Sequence, residues 1–224
     1  MRLAAMHIEP PSNILSRWKL TRDDGTDMNQ ELTRFAAMTG LERAAPGRVS
    51  ALLLLQLYAG ATSGTLNPAK VIHEIAILEG TGPASKLKPP SRFERHAALR
   101  GLWHKHYLQD GLASMAFNML RGIRQHGIPI LQNMVDDAAA AGEERYFEAA
   151  HVAAIADDAV RGTWERLQKQ QALTGEWIIF GVHEDTNYYL SLGTHTEGDD
   201  ILRKQIETFC RQEFPFIATQ LEPI

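Results

Sequence analysis

The chain has 224 residues, 44% of them apolar and 22% charged, with a formal net charge of −4. These proportions are those of an average globular protein and exclude a disordered, collagenous or low-complexity chain. A single cysteine, Cys210, excludes an intrachain disulfide framework and a cysteine-based zinc cluster.

The length fits one domain or a tight pair. Glu9 and Pro10-Pro11 interrupt the N-terminus before an apolar run of signal-peptide length forms. The most apolar stretch, 49–61, is diluted by Ser50, Gln56 and Tyr58 and is too short to span a membrane. The reading is a cytoplasmic protein without a membrane partner, although a protein delivered to a host would look the same.

Residues 1–26 read as irregular. Asp27 is placed to cap a helix that runs to about Met38 and stops at Gly40. Residues 49–58 include four consecutive leucines and suit a buried helix or a buried strand; the excess of Leu and Ala over β-branched residues favours helix. Gly60 to Thr65 lacks the lysine of a phosphate-binding P-loop. Asn67-Pro68 is a helix start, with Gly80 as the stop. His73-Glu74 on that helix reads as surface. Residues 81–91, rich in Gly, Pro, Ser and Lys, read as a loop or internal linker.

Residues 93–108 and 111–125 read as two helices broken near Asp110-Gly111, and Ile128-Pro129-Ile130 as a short extended piece. Gly142 with Glu143-Glu144 is expected to open a long helix to about Gln171. Two β-rich stretches, 176–183 and 188–195, flank polar turn residues and predict an antiparallel hairpin. A register in which paired positions sum to 371 would set His183 opposite Tyr188. Gly198-Asp199-Asp200 then caps a helix reaching Phe214. The expected fold is α+β and mostly helical: one compact domain over 27–224, with a C-terminal antiparallel β-hairpin followed by a helix.

Charge is unevenly distributed. Residues 86–126 hold eight basic side chains against Glu94 and Asp110, a net of +6. Residues 127–160 hold seven acids against Arg145, a net of −6. These segments either pair with each other or leave a basic face for a polyanion. The candidate site lies in the basic segment: Arg100, His104, Lys105 and His106, with Arg92, Arg95, Arg121, Arg124 and His126 as further anion-binding groups and His195 as a secondary candidate. Two imidazoles can act as general base and acid on a phosphodiester while Lys and Arg stabilise charge on phosphate. His104-x-His106 would also suit metal ligation in a strand, but in a helix the two side chains diverge.

The spacings Arg100-x5-His106 and Arg121-x4-His126 resemble the Arg-x4–6-His signature of the HEPN ribonucleases, in which Arg and His meet their symmetry mates across a dimer. The resemblance covers six or seven residues. It departs from the family in the glycine after each arginine and in the C-terminal hairpin.

Three functions follow as expectations. The first is a metal-independent phosphodiesterase resembling a ribonuclease, with RNA or another polyanion as partner and no cofactor. The second is a non-catalytic module binding an acidic protein or nucleic acid. The third is a metal-dependent hydrolase using His104 and His106. A homo-oligomer stays open in each.

Overall fold

The structure, a computed structural model, describes residues 15, 18–109, 111–142, 146, 148–173, 175–194 and 197–223. The chain forms two compact units. The first comprises the described residues of Met1–Ala84, Pro90–Tyr107 and Glu176–Ile224; the second comprises those of Ser85–Pro89 and Leu108–Gly175. The second unit is an excursion between two strands of the first, and part of the 81–91 loop belongs to it.

The first unit opens with α1 (Asn29–Thr39), α2 (Leu41–Ala44), α3 (Ala51–Thr62) and α4 (Pro68–Leu78). Local chemistry sets most of their ends. The Asp27 side chain accepts from the Asn29 amide at 2.8 Å, and Gly40 takes a left-handed conformation that stops α1. The Ser50 hydroxyl accepts the Leu53 amide at 3.0 Å, so the leucine run is a helix. The Asn67 side chain accepts from Ala69 at 3.1 Å and Pro68 occupies the first turn of α4.

Four strands follow, β1 (Ser91–Arg92), β2 (Trp103–Tyr107), β3 (Glu176–His183) and β4 (Thr186–Gly193). They form one antiparallel sheet in the order β1-β2-β3-β4. The β3–β4 hairpin and the helix after it, α9 (Asp199–Glu213), are as expected, and α10 (Ile217–Gln220) closes the unit. The fold is α+β. The hairpin turn has two residues, Glu184 and Asp185, both at positive φ, and His183 pairs with Thr186 rather than Tyr188. A register shift between Ile179 and Phe180 separates the two ends of the ladder.

The largest correction concerns 93–108. It is not a helix: a single 3-10 turn, Ala97–Leu99, precedes β2. Trp103 to Tyr107 pair in register with Phe180 to Glu176. Strand β3 would otherwise be a bare edge beside β4, and a hairpin alone is marginally stable. The long-range ladder overrides the helical reading of this segment.

Alternation along the strands splits the core into two layers. Ile178, Phe180, Tyr107 and Tyr189 join the leucines of α3 and the apolar face of α4. Trp177, Ile179 and Leu190 join Leu202, Ile206 and Cys210 of α9 and Ile217 of α10. Leu53, Leu54 and Leu57 are fully buried, each contributing about 1.5–3 kcal/mol. Cys210 is likewise buried, and burial pushes its thiol up to about 12.

The second unit contains α5 (Leu112–His126), α6 (Pro129–Ala141), α7 (Ala149–Asp157), a π-helical turn (Asp158–Gly162) and α8 (Thr163–Lys169). Two expectations fail here. Ile128-Pro129-Ile130 is not extended, because Pro129 is the first residue of α6. Gly142 has a left-handed conformation that ends α6, and among the described residues the next helix starts only at Ala149. Leu87, Leu167 and Leu173 form a small core. Asp158 accepts from Arg166 at 2.7 Å and from the Ile130 amide at 3.2 Å, tying α6 to the π-turn and α8.

Candidate imidazole site on the sheet

The strand conformation of β2 decides where the candidate residues point. Successive side chains of a strand alternate, so His104 and His106 share one face and Lys105 takes the other. His106 is cross-strand from Trp177 and His104 from Ser91. The imidazole centroids of His104 and His106 are 5.3 Å apart. His104 stacks on Phe93 at 4.4 Å and lies 5.8 Å from the Trp177 ring; its Nε2 is 3.4 Å from the Ser91 hydroxyl. His106 is buried, at 6% exposure, whereas His104 is only partly covered.

A third imidazole, absent from the sequence reading, completes the cluster. His96 precedes the 3-10 turn and packs edge-on against Trp177 at 4.8 Å and Phe93 at 5.5 Å. Its Nδ1 lies 3.1 and 3.0 Å from the two carboxylate oxygens of Asp199, in the first turn of α9. A carboxylate offers only acceptors, so this nitrogen carries the proton. The His96 and Asp199 side chains are 36% and 29% exposed. No periodicity or spacing connects residues so far apart in the chain.

Lys105 is not on this face. Its ammonium lies 3.0 Å from the Glu74 carboxylate of α4, the two side chains 1% and 7% exposed. Desolvation pushes the Lys105 ammonium below the ordinary lysine value, and Glu74 opposes that shift. Glu74, read from the sequence as surface, is thus a core residue.

The arginines divide between the units. In the first unit Arg92, Arg95 and Arg100 are exposed. The Arg92 guanidinium lies 5.2 Å from the Trp103 ring centroid, and Arg100 donates to the Glu94 carbonyl at 3.3 Å. In the second unit Arg121 donates to the Ala172 carbonyl and is partly buried, and desolvation lowers its pKa. Arg124 is exposed and His126 partly covered on α5. The basic run of the sequence is therefore shared by two units. His195 lies outside the described residues.

Among the described residues no group of three His, Cys, Asp or Glu side chains is placed to hold a metal ion. None of their helices is long and apolar enough to cross a membrane. Of the two spacings that carry the HEPN resemblance, Arg100 and His106 belong to a turn and a strand, and Arg121 and His126 both lie on α5. Comparison with protein-family models, with curated proteins and with solved structures finds no match.

Proposed function

We propose that the first unit is a metal-independent phosphodiesterase whose reactive groups are the imidazoles on this face of the sheet, with RNA as the substrate class. One observation carries the reading. His104 and His106 project to the same side of β2, 5.3 Å apart, in a segment that also exposes Arg92, Arg95 and Arg100.

Neutral imidazole can accept the 2′-hydroxyl proton of RNA. A second imidazole, protonated, can supply the proton that the departing 5′-oxygen needs. Arginine guanidinium groups suit the phosphate oxygens, which gather charge as phosphorus becomes pentacoordinate. Lys105 takes no part, because it is spent on Glu74 in the core.

The test is cleavage of single-stranded RNA in the presence of EDTA by the wild type and by a His104→Ala/His106→Ala double variant. EDTA-resistant cleavage that the double variant loses, while its folded-state circular dichroism persists, is expected. No cleavage by the wild type refutes the reading.

The exposed arginines favour a second reading, a non-catalytic polyanion-binding module. It predicts RNA binding that weakens steeply with salt and does not need the histidines.

A further inference from the structure

We infer that His96, held by Asp199, rather than the buried His106, is the second proton-transfer group of this site and works with His104. This rests on the phosphodiesterase reading above and specifies which imidazoles carry it out.

Three observations lead here. Proton transfer to a substrate arriving from solvent needs a ring that solvent reaches, and His106 is only 6% exposed. His96 and His104 are both partly exposed, and both pack on Phe93 and Trp177, at centroid distances of 4.4 to 5.8 Å. His96 is also the ring whose orientation is fixed. Both oxygens of Asp199 face its Nδ1, which sets the Nδ1–H tautomer and leaves Nε2 for exchange with substrate.

The reaction balances without an added reactant. The 2′-oxygen of RNA forms a bond to phosphorus as its proton passes to the neutral imidazole. The bond from phosphorus to the 5′-oxygen breaks, and that oxygen takes a proton from the other, charged imidazole. The products are a 2′,3′-cyclic phosphate and a 5′-hydroxyl end. Which ring is base and which is acid is set by the strand's direction across the site.

Asp199 is a positioning residue, and it also stands where an acidic side chain favours the N-terminus of α9. The experiment separates these roles. Nitrogen-15 spectra of the imidazoles, with His96 assigned through His96→Gln, are recorded for the wild type, Asp199→Asn and Asp199→Glu. Cleavage of a ribodinucleotide in EDTA is measured alongside, with His183→Gln as the control. His183 stacks on Phe216, away from the cluster.

The Nδ1–H form of neutral His96 is expected in the wild type. It should give way to Nε2–H in Asp199→Asn and return in Asp199→Glu. His96→Gln and His104→Gln are each expected to lower kcat by about 10²-fold or more with little change in KM. Asp199→Asn should lower kcat with Asp199→Glu restoring part of it. A wild type that cleaves, with His96→Gln retaining more than half of its kcat, overturns this inference and leaves the phosphodiesterase reading standing. A wild type that does not cleave removes both. A tautomer unmoved by Asp199→Asn overturns the positioning role whatever the activity.

Discussion

Lys105 and Glu74 offer the sharpest test of the fold, because the sequence marks Lys105 as an anion binder and the structure encloses it. Lys105 lies mid-strand, and its ammonium meets the Glu74 carboxylate at 3.0 Å with almost no access to water. Its lowered pKa means that desolvation outweighs attraction to Glu74. The folded state therefore holds the lysine proton less tightly than the unfolded chain does. That cost is present at neutral pH and is relieved as pH rises through the folded value toward the ordinary lysine range. Lys105→Met removes the ammonium that faces the buried Glu74 carboxylate, a loss of about 3–5 kcal/mol. At about 2–4 °C per kcal/mol for a chain of this size, Tm should fall by about 6–20 °C. Lys105→Met/Glu74→Leu removes both charges and should be neutral or more stable than wild type by about 1–4 kcal/mol. Urea unfolding followed by circular dichroism reads all three proteins, with an unchanged m-value as the check that only stability has moved. A single variant as stable as wild type, or a double variant as unstable as the single, refutes the buried pair. A stable double variant that has lost RNA cleavage would return Lys105 to the chemistry.

Two further predictions concern the same unit. Burial alone would raise the Glu79 carboxyl, but hydrogen bonds from Arg48, Tyr189 and Asn187 outweigh it and hold Glu79 below the ordinary carboxylate value. The stability this supplies is present above the unfolded pKa and is lost as pH falls through the folded one. Unfolding free energy should thus drop as pH falls below about 5, and Glu79→Gln should flatten that slope; parallel profiles would refute the assignment. Gly101 has φ +93°, and a Cβ there would lie 1.7 Å from the Gln220 carbonyl oxygen. Gly101→Ala should cost about 3 kcal/mol or more by thermal unfolding. Gly25→Ala, at φ +81° with no atom in the way, should cost only about 1–2 kcal/mol. Equal losses would show that the contact with Gln220 is not formed.

The elements legible in the sequence are those whose signals lie within a few residues of one another. Asn67-Pro68 supplies a cap and a φ already suited to a first turn, so α4 starts where expected. The alternation of 176–183 and the polar turn after it mark a hairpin because its partner strand follows at once. The same locality misleads when one residue suits two roles. Gly142 fits a helix start and a helix stop, and only its left-handed backbone shows which. Pro129 between two isoleucines fits an extended piece as well as a first turn.

Of the candidate site, the sequence identifies His104 and His106 as chemically able and marks Asp199 only as the opening of a helix. It cannot say that the two imidazoles face the same way, because that depends on β2 being a strand. β2 is a strand because β3, far along the chain, lends it a ladder.

By itself the sequence determined the α+β class, the Gly40 stop of α1 and the cap of α4, the hairpin with α9 after it, and the presence of imidazoles among arginines. Each follows from local propensity, capping or period. Tertiary structure alone decided which side chains of β2 share the face of the imidazoles and which enter the core. Pairing sent Lys105 to Glu74 and both histidines to the opposite face, and packing of α9 brought Asp199 to His96. Such contacts join groups whose separation along the chain carries no periodic trace, so no reading of spacing reaches them.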